Sequence, residues 1–175
     1  LTMYRSIIRG NSANWAGGLW GDETDGLVIR DSEFIANAAT VQGGALLVKD
    51  TFLDLSGSTI RDNTAGERGG GIMLWGAAAS ITTTTVTQNS APRGGGIFFN
   101  HSDNVEVRDS TITQNAATGD GGGIYIYGSQ VDILESEISE NHAGQSGSGG
   151  GIAVAAIPAP FRASTVLVHD ATIAS

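Results

Sequence analysis

Six asparagines recur at one fixed spacing, and that spacing restricts the fold more than any other property of the chain. The segments "IIRGN", "FIAN", "TIRDN", "TVTQN", "TITQN" and "EISEN" end at Asn11, Asn37, Asn63, Asn89, Asn115 and Asn141, and every interval is 26 residues. A constant period in this range marks a solenoid, in which one repeat forms one coil and only the stacking of neighbours creates a core.

Within each repeat the apolar residues alternate. "VEVRDSTITQN" from Val105 and "VDILESEISEN" from Val131 share one pattern, with the period of two that belongs to strands. Two inward columns follow: Met3, Ile29, Leu55, Ile81, Val107, Ile133 and Val168, and Ile8, Phe34, Ile60, Val86, Ile112, Ile138 and Ile173. A further strand follows the glycines in "ALLVK", "IMLW", "IFFN", "IYIY" and "IAVA", with Leu46, Ile72, Ile97, Ile124 and Ile152 pointing inward. The expected architecture is all-β, a parallel β-helix of about 26 residues per coil, with three short strands per coil and six to seven coils. At about 4.8 Å per coil the rod would be roughly 30 Å long.

The asparagines are expected to form an internal ladder, bonding corner amides that no strand pairs. Ser6, Ser32, Ser58, Ser110 and Ser136, with Thr84 in the same phase, predict a second polar stack at another corner. The glycine runs, such as Gly69 to Gly71 and Gly121 to Gly123, supply positive φ and close backbone approach ahead of the next strand.

Composition narrows the partners. Among 175 residues there are 26 glycines, three prolines and no cysteine, which fits a turn-rich β chain held by packing and hydrogen bonds alone. The formal net charge of −9 disfavours nucleic acid, which requires clustered Lys and Arg. No polybasic run or long apolar segment predicts membrane insertion. The sequence opens and stops part-way through its own repeat, so residues 1–175 are expected to be one β-helix within a longer chain.

With its asparagine phase, its glycine runs and its "IYIY"-type strands, the chain resembles the right-handed parallel β-helix repeat proteins, pectin-lyase-like in fold. It is similar to secreted bacterial repeats written as Asn-Ser-Ala, glycine run, Ile-Tyr, and to the polymorphic outer-membrane proteins with their FxxN and GGA[ILV] motifs. "FIAN" and "GGAL", around Asn37 and Gly43, match the latter letter for letter. The resemblance implies right-handedness and a secreted or cell-surface protein of bacterial type, often a stalk or adhesin segment; because the chain shows no dense outer cluster of carboxylates with Arg or Lys, it is expected to be non-enzymatic.

Several residue groups are candidates for binding or chemistry. On the outward side of the strand after the glycines stand Leu47, Met73, Phe98 and Tyr125 in one column, and Lys49, Trp75, Asn100 and Tyr127 in the next. They are expected to be exposed, offering Met73, Trp75, Phe98, Tyr125 and Tyr127 to a carbohydrate or protein partner. Outward Glu106 and Asp132 fall one coil apart near Arg108, the arrangement a polysaccharide lyase or glycoside hydrolase would use. Splayed, solvated carboxylates are the plainer reading, so no catalytic residue is assigned. Asp22, Glu23 and Asp25 in "GDETDG" are close enough to take Ca²⁺, although an acidic turn explains them equally; no other cofactor or metal is expected. The histidines, His101, His142 and His169, occupy different phases and support no hydrolase triad.

The interval fails once, at "AIPAPFRAS", which predicts a protruding loop over 155–165 with Phe161 and Arg162 at its tip as further contact residues. The repeat carries no polar cap at either end, which makes end-to-end self-association into a filament a third possibility beside the binding module and the enzyme.

Overall fold

The structure is a computed structural model, and it describes residues 1–155 and 163–174. The coil that opens at Val105 shows how the sequence becomes one turn. Strand Val105–Arg108 alternates buried Val105 and Val107 with half-buried Glu106 and Arg108. The chain bends at Asp109, where φ is 49°. Ser110 fills that corner, its Oγ donating to the Arg108 carbonyl at 2.8 Å and accepting the Thr84 amide at 3.1 Å.

Thr111–Thr113 forms the second strand, and Gln114, with φ 56°, makes the next bend before Asn115. A two-residue strand, Ala116–Ala117, leads through the glycine run to Ile124–Tyr127. Gly128, with φ 59°, and Ser129 then close the coil. A left-handed residue recurs at the corners, one at most of them and two where Glu23 and Gly26 or His101 and Asn104 make a longer bend.

Each strand pairs in parallel with its counterpart in the next coil, giving four sheets of seven, seven, five and six strands. Three strands per coil were legible as alternation. The fourth, following each asparagine, is as short as two residues, and so brief a segment shows no period. Register holds the two inward columns in line, for example Leu55 with Ile81 and Val107, and Ile60 with Val86 and Ile112. They meet Val48, Leu74, Phe99 and Ile126 from the last sheet in one continuous core. Burying each such side chain stabilises by about 1.5–3 kcal/mol.

Polar side chains bridge the coils at the corners. The Asn89 Nδ2 donates to Asn115 Oδ1 at 3.0 Å and to the Ile60 carbonyl at 2.9 Å. Its Oδ1 accepts the Asn63 amide at 3.0 Å and the Asn63 Nδ2 at 2.9 Å. The side-chain bonds run from Asn11 through Asn37 to Asn141. A further serine corner was not read from the sequence: the Ser102 amide donates to Ser129 Oγ at 3.0 Å. Its members lie 27 residues apart, off the asparagine period.

Each glycine of the run has its own reason. Gly121 has φ +66°. A Cβ on Gly122 would lie 2.5 Å from the His142 and Gly150 carbonyl oxygens. A Cβ on Gly123 would lie 2.9 Å from the Asn141 side-chain Nδ2. The run therefore packs backbone directly on the backbone of the next coil, with the asparagine row behind it.

Candidate functional site

The outer face of the last sheet differs from the sequence expectation. Leu47, Met73 and Phe98 are 1%, 0% and 3% exposed, and Asn100 is buried as well. Trp75, Tyr125, Tyr127 and Lys49 are half-buried. The cause is the loop just before each strand, which turns back over the outward column. A Cβ on Gly94 would stand 3.0 Å from Phe98 Cβ, and one on Gly121 would stand 2.9 Å from Tyr125 Cβ. Outward on the strand is therefore not outward in the molecule, and Met73 cannot touch a ligand as expected.

What remains open is a groove of about 210 Å³ lined by Arg68, Arg93, Phe98, Asn100, Tyr125 and Tyr127. Phe98 and Tyr125, neighbours by register, stack with ring centroids 4.8 Å apart at 22°. Tyr127 follows two residues on, and His101 meets its ring edge-on at 5.3 Å. The His101 Nδ1 lies 2.9 Å from Asn100 Oδ1. Trp75 lies one coil earlier in the column of Asn100 and Tyr127, outside the lining of the groove.

The two arginines were missed in the sequence. Arg68 and Arg93 each precede a glycine run, in "ERGGG" and "PRGGG", and they pair across one coil as a parallel bridge. Arg68 reaches forward along the axis, its guanidinium carbon 5.6 Å from the Phe98 centroid. Burial pushes the Tyr125 phenol above its ordinary value of 10.0, against the opposing pull of Arg93 and Arg68 and with the help of Asp120. Its hydroxyl is thus a proton donor throughout the neutral range. Fixed position before the glycines was the available signal, and the apolar column beside it drew attention away.

The carboxylate candidates sit elsewhere. Glu106 and Asp132 are register partners beside Asn104 and Gln130 along a shallow depression. Arg108 donates from Nε to Glu106 at 3.1 Å and from a terminal nitrogen to Glu135 at 2.8 Å. The hydrogen bond it donates to Glu106 is the main reason the Arg108 guanidinium is held more tightly protonated than usual.

In the first coils, Asp22 and Glu23 converge with Asp50 of the next coil, within 4.8 Å; Asp25 is not part of that group. Lys49 Nζ stands 3.0 Å from Asp22 and 3.2 Å from Asp50, so an ammonium already supplies the positive charge. Register pairs Asp22 with Lys49, which brings Asp50 in where sequence proximity suggested Asp25.

Phe161 and Arg162 lie outside the described residues. The feet of that excursion are joined: Ser164 Oγ donates to the Ala155 carbonyl at 3.0 Å and accepts the Gly128 amide at 2.8 Å.

Four parallel sheets wound around one core, with polar rows at the corners, define a parallel β-solenoid. A family model described as "Right handed beta helix region" matches residues 50–166, and the chain belongs to that family. Neither the curated proteins nor the solved structures compared with it give a match.

Proposed function

We propose that this right-handed β-helix is a non-enzymatic binding module of a secreted or cell-surface protein, a stalk or adhesin segment that holds a carbohydrate in the groove over its last sheet. The observation that carries this reading is the meeting of stacked Phe98 and Tyr125 with Tyr127, Asn100 and two arginines in one concavity. Tyrosine offers a flat apolar face and a hydroxyl on one rigid side chain, which suits a sugar ring with apolar C–H faces and polar edges. At about 210 Å³ the groove is smaller than the roughly 300–1,000 Å³ of most ligand pockets, so it would seat one ring while the rest of a chain runs along the rod.

The experiment is binding to immobilised glycans with Tyr127→Ala as the control. Tyr127 lines the groove and is half-buried, so its removal should take away binding without opening the main core. Binding that survives Tyr127→Ala unchanged rejects this face. The competing lyase or hydrolase reading would use Glu106, Asp132 and Arg108. Incubation with acidic and neutral polysaccharides separates the two: new reducing ends or unsaturated products that vanish in Glu106→Gln would replace the binding module with an enzyme.

A further inference from the structure

We infer that Asp25–Gly26 is a site of spontaneous backbone modification, at which the aspartate cyclises on the following amide and reopens as isoaspartate, with water as the only co-reactant. An aspartate followed by glycine is the pair most open to this chemistry, because no side chain shields the attacking nitrogen and glycine lets the backbone rotate into line. The chain contains two such pairs, Asp25–Gly26 and Asp120–Gly121. The fold treats them in opposite ways.

Both reacting groups of Asp120–Gly121 are held by the next coil. The Asp120 carboxylate accepts the Ser148 amide at 2.7 Å, and the Gly121 amide donates to the Ser148 carbonyl at 2.9 Å. A Cβ on Gly121 would lie 2.5 Å from the Ile124 carbonyl oxygen, so the backbone there is closely packed. The ladder closes Asn89–Ser90 to the related deamidation in the same way. The Asn89 side chain is bonded into its row, and the Ser90 amide donates to the Asn63 carbonyl at 2.9 Å.

Asp25–Gly26 lies in a corner with a residue to spare. Register pairs Asp22 with Lys49 and Leu27 with Leu53, so residues 23–26 cover the distance that 50–52 cover in the next coil. Asp25 is exposed, and its carboxylate has no hydrogen bond or ion pair among the described residues. The Gly26 amide reaches only the Thr24 hydroxyl, at a long 3.4 Å, and a Cβ on Gly26 would meet nothing nearer than the Phe52 carbonyl oxygen at 3.7 Å. The residues on either side are anchored. The Thr24 carbonyl accepts the Thr51 hydroxyl at 2.6 Å, and Leu27 is buried in its strand. Motion is therefore confined to the two residues that react.

The Gly26 nitrogen attacks Asp25 Cγ, an N–C bond closes a five-membered succinimide ring, and the carboxyl hydroxyl leaves with the amide proton as one water. A second water opens the ring at either carbonyl. Opening at the main-chain carbonyl leaves the chain running through the Asp25 Cβ, one methylene longer and unchanged in composition. The spare residue of the corner takes up the added length, so the stacked rows on either side keep their register.

The test is prolonged incubation of the 175-residue chain in heavy-oxygen water at neutral pH, folded and in urea, followed by digestion in ordinary water and mass spectrometry with electron-transfer fragmentation. Each ring opening delivers one heavy oxygen, and the fragmentation distinguishes isoaspartate from aspartate. In the folded chain the Asp25 peptide is expected to gain label and isoaspartate about tenfold to hundredfold faster than the Asp120 peptide, whose reaction waits on the opening of two bonds to the next coil. In urea the two rates should converge, and Asp25→Glu should remove the change at its site, since its ring would be six-membered. Equal rates at the two pairs in the folded chain, or no label at Asp25 while the unfolded chain gains it at both, would overturn the assignment. Unchanged circular dichroism of the incubated chain is expected as well, and a lost β signal would overturn the absorption of the added length by the corner.

Discussion

At the scale of the residue, a buried amide side chain here does the work of backbone pairing at a corner. Asn89 takes part in four hydrogen bonds, linking its own coil to those on both sides. Asn89→Ala is expected to destabilise the chain by about 3 kcal/mol, because donors and acceptors on both neighbouring coils are left unpaired in a buried site. Thr113→Ala, on the half-buried outer side of the second sheet, should change stability by less than about 0.5 kcal/mol. Urea denaturation of both variants checks this, and equal effects would contradict the role given to the row.

Backbone handedness supplies a gain in the opposite direction. Ala36 is exposed and sits at φ 52°, in the left-handed region that costs a residue with a Cβ about 1–2 kcal/mol. Ala36→Gly relieves that strain against a smaller loss of chain entropy, so a melting point above that of the parent is expected. The asparagine and serine positions were legible because their period is constant. The left-handed glycine that opens each run, such as Gly69 and Gly121, was legible as well, whereas the left-handed corner of Arg5, Asp31, Gly57 and Thr83 was not, since those four residues share no common chemistry.

At the scale of the element, each strand repeats its neighbour, and the differences between sheets lie in what covers them. The first two sheets bury one face and leave the other to half-exposed polar residues such as Glu106 and Thr111. The last sheet is covered on both faces, by the core within and by the preceding loop without. Alternation in the sequence specifies which side chains share a face and is silent about what lies over that face. That is why the columns of Met73 and Tyr127 were correctly grouped and wrongly exposed.

Covering the outer face has a measurable result at high pH. The Tyr125 phenol is raised above 10.0 in the folded chain, chiefly by burial, so folding favours its neutral form. The associated stability is fully present below pH 10 and is lost as pH rises through the folded value. Tyr125→Phe should therefore reduce the alkaline fall in melting temperature relative to the parent. An unchanged alkaline profile would place Tyr125 in water.

At the scale of the whole molecule, the rod exposes apolar residues at its first and last coils. Leu1, Tyr4, Ile7, Trp15 and Trp20 are exposed at one end, and Val154, Leu167, Val168 and Ile173 at the other. For the 175-residue chain these edges predict concentration-dependent association, visible as rising mass in light scattering. A monomeric mass at high concentration would contradict it. The fold was almost wholly legible because a solenoid converts sequence distance into position. The groove was not, because its arginines and its rings come from different segments of the coil and meet only when the loop turns back.

The central claim is that equivalent residues in successive coils stand in straight rows, one strand spacing apart. The chain has no cysteine, so pairs of spin labels can be placed without background. Glu33, Thr111 and Glu137 occupy one register row on the second sheet, with Ile7 one coil earlier. Electron–electron distances for the Glu33–Thr111, Glu33–Glu137 and Ile7–Glu137 pairs should centre near roughly 14, 19 and 24 Å, rising by about 4.8 Å per coil. Distances that do not grow in equal steps along this series would contradict the stacked-row structure and the groove built on it.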